Sequence, residues 1–286
     1  MFILLALASA AMYGAADFLG GLASRRAGTI AIVVLSQVAG LVALVLMLPF
    51  LPPSAPARGD WIWGAAAGVA GGTGVALLYR ALAIGTMAIV APITAVCAVT
   101  IPVAAAIALG ERPGFLTMGG IVLAMIAIVL VSQPHALRDS AGHAPPVRAR
   151  GAATALASGV AIGLFFLALA RTNSDAGMWP LVAARGVSFG LFGAIALVLR
   201  VPMRMPARVA RTAVVGGVMD MLANLLYLLA TRHGPLSVVV TLSSLYPAST
   251  VLLARVVLGE RLSARQILGI VCALVAVMVI VGTRQS

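Results

Sequence analysis

The chain has 286 residues, of which 62% are hydrophobic and 9% charged, and its net charge is +12. A soluble domain of this length carries about a quarter charged residues, so the composition excludes a water-facing globular fold. The positive charge comes from arginines set mostly singly at the ends of apolar runs, with no lysine at all; that pattern anchors and orients membrane helices and offers no basic face to nucleic acid.

Ten apolar runs are predicted to cross the membrane: 2–22, 29–50, 61–82, 88–109, 115–132, 151–170, 178–199, 211–230, 236–257 and 264–281. Spanning about 30 Å of hydrocarbon takes roughly 20 helical residues. Helices also satisfy their backbone hydrogen bonds internally, as lipid demands. The short alternating strands of an outer-membrane barrel are absent. The first run has no basic leader and no cleavage site, so it is read as a span and not as a signal peptide. The two longer connections, 49–60 and 132–150, are punctuated by proline, the second by Pro134, Pro145 and Pro146.

Two halves are legible. Gly110-Glu111-Arg112 ends the fourth run, and Gly259-Glu260-Arg261 ends the ninth 149 positions later. The same offset pairs Gly85 with Gly234, Gly120 with Gly269, Gly14 with Gly163 and Ser9 with Ser158. The expected organisation is a five-helix repeat over 1–135, a linker at 136–150 and a second five-helix repeat over 151–286. Five is odd, so the second repeat enters the membrane from the opposite side. The fold class is therefore an all-α polytopic membrane protein with ten transmembrane helices in two inverted repeats. Glycines at four-residue spacing predict close helix contacts: Gly64, Gly68 and Gly72 on the third run, Gly159 and Gly163 on the sixth, Gly186 and Gly190 on the seventh. Cys97 and Cys272 lie inside apolar runs and are read as small packing residues.

An ionisable side chain in hydrocarbon costs at least about 2.5 kcal/mol, so it faces a cavity or a partner. Asp220 lies near the middle of the eighth run, with Asn224 and Tyr227 at i+4 and i+7 on the same helical face. Arg185 lies about two turns into the seventh, with Ser188 at i+3. Asp17 follows Tyr13 by one turn on the first, and Gln37 adds an amide on the second. Two readings stand side by side. Arg185 and Asp220 form a buried ion pair that fixes helix packing, or they line a central cavity. In the second case Asp220 is a proton or cation site, and Arg185 is its counter-ion or a clamp for a substrate carboxylate. Asp17 either joins them or caps the end of its span near Arg25 and Arg26. At the 149 offset Arg185 matches Ser36, Asp220 matches Gly71 and Asp17 matches Phe166, so the charges are not part of the duplicated scaffold.

Prolines mark a second set of positions. Pro92 and Pro102 are expected to interrupt the fourth span and Pro247 the ninth, each freeing a carbonyl four residues back. Such breaks are tolerated where the backbone meets protein or a water-filled cavity. They are the expected gates, with Thr94 beside Pro92 and with Ser243, Tyr246 and Thr250 sharing a face next to Pro247. Kinks with satisfied hydroxyls are the competing explanation. Glu111 and Glu260 are read as structural, capping or salt-bridging at an interface.

No phosphate-binding loop is present, His135, His143 and His233 lack metal spacing, and no serine sits in a nucleophile elbow. The chain is read as a non-enzyme with no catalytic residue, cofactor or metal.

The paired halves resemble the EamA-type members of the drug/metabolite transporter superfamily. The first copy reads Tyr79-Arg80-Ala81-Leu82, Gly85, Ala91-Pro92, Leu109-Gly110-Glu111-Arg112 and Gly120. The second reads Gly234-Pro235, Tyr246-Pro247, Leu258-Gly259-Glu260-Arg261 and Gly269. The resemblance covers nearly the whole chain. It implies a multi-pass carrier of the plasma (inner) membrane that exports a small amphipathic metabolite or amino-acid-like compound by alternating access, with the proton as candidate coupling ion. The expected partners are a small-molecule substrate and the lipid bilayer, with no nucleic acid, and the protein is a monomer or a homodimer. The alternatives are a lipid or lipid-linked sugar flippase and a non-transporting receptor or assembly subunit. Orientation stays open: the arginine count places both termini outside the cytoplasm, while the resemblance places them inside it.

Overall fold

The computed structural model describes residues 1–51, 53–84, 87–131, 150–258 and 263–282. Their regular structure is helical, as uninterrupted apolar runs without strand punctuation require. In chain order the α-helices are α1 (Phe2–Ser24), α2 (Thr29–Met47), α3 (Arg58–Ile84), α4 (Met87–Ala108), α5 (Phe115–Val131), α6 (Arg150–Ala170), α7 (Trp179–Val198), α8 (Ala207–Thr231), α9 (Leu236–Ser243), α10 (Tyr246–Leu258) and α11 (Ala264–Gly282). Six of them, α1, α2, α3, α6, α7 and α8, are long and apolar enough to cross a membrane, and shorter apolar stretches mark α4, α5, the α9–α10 segment and α11. Large apolar side chains such as Leu46, Phe115, Leu197 and Val256 point outward, which water would penalise and lipid does not.

Two expectations about proline need correction. The predicted ninth span, 236–257, is not one helix: it breaks at Ser244–Leu245 into α9 and α10, giving ten helical segments with one divided. Pro247 sits in the first turn of α10, where its missing N–H costs nothing, so the break precedes the proline. Pro92 and Pro102 do not interrupt the fourth span, because α4 runs through both. The carbonyl that Pro102 deprives of a donor, that of Ala98, faces Gly163 on α6; a Cβ at Gly163 would stand 3.2 Å from that oxygen. The close glycine lets α6 cover the orphan group and keeps α4 helical.

The glycine stripes divide likewise. Gly64, Gly68 and Gly72 lie against Pro180, Ala184 and Ser188 of α7, and Gly159 and Gly163 lie against α4. Gly186 and Gly190 meet nothing within 4 Å among the described residues, so the third predicted stripe makes no such contact.

Helices of the two halves interleave: α1 packs on α8 and α10, α3 on α6 and α7, α2 on α7 and α8, α4 on α6 and α9, and α5 on α11. The contacts recur at the 149-residue offset. Ser9 donates to the carbonyl of Ala223 at 2.8 Å, and its counterpart Ser158 donates to that of Gly74, the counterpart of Ala223, at the same distance. Gly14 abuts Thr250 as Gly163 abuts Ile101. The Gly-Glu-Arg turn after α4 also crosses the halves. Gly110 has φ +103°, and the amides of Gly110 and Glu111 bond back to the carbonyls of Ile107 and Ala106, the hydrogen-bond pattern of a Schellman stop. The turn delivers the Glu111 carboxylate to the start of α9, where it accepts from the amides of Leu236 (2.7 Å) and Ser237 (3.1 Å). Glu260 lies outside the described residues.

Candidate functional site

The polar positions converge at mid-span. Tyr13 and Asp17, one turn apart on α1, face Gln37 of α2, Arg185 of α7 and the Asp220–Asn224 turn of α8 around one cavity. Its volume is about 50 Å³, enough for a few waters and too small for a metabolite. Phe165 and Phe166 of α6, Tyr246 of α10 and the glycines of α3 (Gly68, Gly71, Gly72) complete the wall.

Within the cavity Arg185 forms an ion pair with Asp220. Its other terminal nitrogen donates to the Gln37 side-chain oxygen. The Asn224 amide nitrogen donates to the Asp220 carbonyl at 2.6 Å and to its carboxylate at 3.3 Å, and the Asn224 oxygen accepts from the Tyr13 hydroxyl at 2.8 Å. This chain of bonds ties α1 and α2 of the first half to α7 and α8 of the second. Arg185 is 7% exposed, and a guanidinium so deep in an apolar bundle needs the partners it has. Ser188 donates to the Gly68 carbonyl and pins α7 to α3 beside the pair.

Asp17 differs from its neighbours. It lines the cavity but has no hydrogen bond or ion pair among the described residues, and Arg25 and Arg26 are exposed at the far end of α1. Aromatic rings share the cavity wall with it: Tyr13 contacts Phe166 edge-on at 5.8 Å between centroids and Tyr246 at 6.4 Å, and Phe165 stands 5.5 Å from Phe166.

Of the residues expected at the site, Tyr13, Asp17, Gln37, Arg185, Asp220, Asn224 and Tyr246 come together. Three hydroxyls lie elsewhere. Tyr227 is fully buried and donates to the Phe166 carbonyl at 3.0 Å, Thr94 donates to Ala155 at 3.1 Å, and Ser243 donates to Ala6 at 3.4 Å. Each donates to a backbone carbonyl of a neighbouring helix and stands outside the cavity wall. Phe165, Phe166 and Ile162 were missed, because an apolar side chain facing a cavity reads like one facing lipid. The repeat could have found two of them: Phe166 is the counterpart of Asp17 and Ile162 that of Tyr13, and all four line the cavity, as do Asp220 and its counterpart Gly71.

Among the described residues no three His, Cys, Asp or Glu side chains gather as metal ligands. What the arrangement offers is a charged, hydrogen-bonded patch and, beside it, a carboxylate without a partner among the described residues, where α1, α2, α3, α6, α7, α8 and α10 meet.

A solved crystal structure is similar to the chain at 19% sequence identity, covering 95% of this chain and 96% of that one with a TM-score of 0.66, which shows a shared fold. No curated protein matches. The model of the EamA-like transporter family matches residues 1–133 and again residues 149–282. With nearly its whole length matched in these two segments, the chain belongs to the EamA-like transporter family and is a multi-pass membrane protein.

Proposed function

We propose that the protein is a secondary transporter of the inner membrane, exporting a small amphipathic metabolite by alternating access between inverted five-helix halves. The observation that carries this reading is the mid-span cavity, whose charged network is contributed by both halves and is absent from the duplicated scaffold. The recurrence of contacts at the 149-residue offset supports the inversion, because partners exchange roles as they do across a two-fold axis. Division near residues 136–150 follows from it. A cavity of about 50 Å³ would admit substrate once the halves rock apart on one side.

Proton counter-flow fits the same site. Asp220 is held by Arg185 and Asn224, so Asp17 is the carboxylate left available to exchange a proton. Arg185, doubly engaged, acts as a fixed strut more readily than as a clamp for a substrate carboxylate.

The test is a metabolite-resolved comparison of medium from cells making the wild-type protein, the Asp220→Asn variant or neither. The expected outcome is a compound that accumulates outside with the wild type alone, at matched amounts of protein in the membrane. Identical media from all three would remove the export reading.

A further inference from the structure

Resting on the carrier reading, we infer that the site selects a substrate bearing a cationic amine on an apolar body, and that Asp17 is the group that receives the amine. The charges of the cavity decide this. Arg185 is matched by Asp220, and its other terminal nitrogen donates to Gln37. Tyr13 donates to Asn224, and Asn224 in turn donates to Asp220. Of the two carboxylates in the cavity wall, Asp220 is paired with Arg185 and Asp17 has no partner among the described residues. A substrate carboxylate finds no free cation here, and entering beside Asp17 it adds like-charge repulsion in a medium of low dielectric. A protonated amine does the reverse, since it completes a charge-assisted hydrogen bond with Asp17.

The surroundings suit the rest of such a molecule. Tyr13, Phe166 and Tyr246 line the same cavity as the carboxylate, and Phe165 extends the aromatic surface on α6. Aromatic faces attract a cation more strongly once water is excluded, and they pack an apolar body without asking for polar partners. Asp17 and Phe166 are repeat counterparts, so equivalent places in the two halves supply the charge and the ring that a cationic amphipath needs.

The test uses two probes of nearly equal size and opposite charge, 2-phenylethylamine and phenylacetate, titrated calorimetrically into the purified full-length protein near neutral pH. The wild type is expected to bind the amine at least tenfold more tightly than the acid. Asp17→Asn is expected to abolish that preference and Asp17→Glu to retain it, each with a melting temperature near that of the wild type. Equal affinities, a preference for phenylacetate, no measurable binding of either, or an amine preference that survives Asp17→Asn would each overturn the inference. A preference for phenylacetate would do so while leaving the carrier reading intact, and the media comparison judges that reading without assuming the charge of the substrate.

Discussion

At the scale of single residues, the Arg185–Asp220 pair poses the question of structure against function most sharply. Removing one partner strands a charge between helices, and breaking a buried pair costs about 3–5 kcal/mol. The Asp220 side chain is 19% exposed to the cavity, so the lower figure applies. Asp220→Asn should therefore destabilise the protein by about 3 kcal/mol. The double substitution Arg185→Met/Asp220→Leu removes both charges and should restore wild-type stability to within about 1 kcal/mol. If the pair belongs to the transport site, the restored double variant remains inactive in the media assay. Thermal unfolding in detergent and export measured on the same preparations separate the two contributions, and export at the wild-type rate by the double variant would reduce the pair to scaffold. These residues were legible in the sequence because hydrocarbon makes any ionisable group conspicuous. Thr94, Tyr227 and Ser243 were less legible for the opposite reason: a hydroxyl can donate to a carbonyl of a neighbouring helix, as all three do, and so announces no cavity.

Among the elements, α9 is the one that depends on distant support. It has only eight residues, its flanking Pro235 supplies no side-chain cap, and its first amides are satisfied by Glu111 from the other half. A carboxylate at a helix start both accepts these bonds and offsets the positive end of the helix dipole. Glu111→Ala should lower stability by about 1–2 kcal/mol, in the range of a lost N-cap, and Glu111→Gln, which keeps one acceptor oxygen, by less. Hydrogen exchange should show the amides of residues 236–240 losing protection in Glu111→Ala ahead of those in α1; unchanged exchange there would mean that the cap contributes nothing. Helix existence was legible throughout because apolar runs of membrane length leave few alternatives. The positions of breaks were not. Pro247 signals a discontinuity, yet a proline is equally at home in the first turn of the next helix, and Pro102 is absorbed because Gly163 shields the carbonyl it orphans. That compensation is tertiary and lies outside any local pattern.

For the whole molecule, the two serine bonds that recur at the 149-residue offset lie on opposite sides of the cavity. Ser9–Ala223 is nearer the face bearing the amino terminus, where Phe2 packs against Gly234. Ser158–Gly74 is nearer the opposite face, towards which α3 runs on to Tyr79, packed against Gly20. Both are made at 2.8 Å. Alternating access requires one side to loosen while the other holds, so each bond should stabilise closure of its own side. A buried hydrogen bond contributes about 1 kcal/mol, enough to shift a two-state balance roughly fivefold. The assay starts from a chain whose free cysteines are removed by C97A/C272A and which carries Val75→Cys in the cavity wall as reporter. In that background Ser9→Ala should raise labelling by a membrane-impermeant maleimide about fivefold from the amino-terminal face, and Ser158→Ala should do the same from the other face. The prediction turns on the opposition of the two effects. If both variants increased labelling from the same face, the halves would not act as mirror gates around the site, and a carrier mechanism built on their exchange of roles would have to be abandoned.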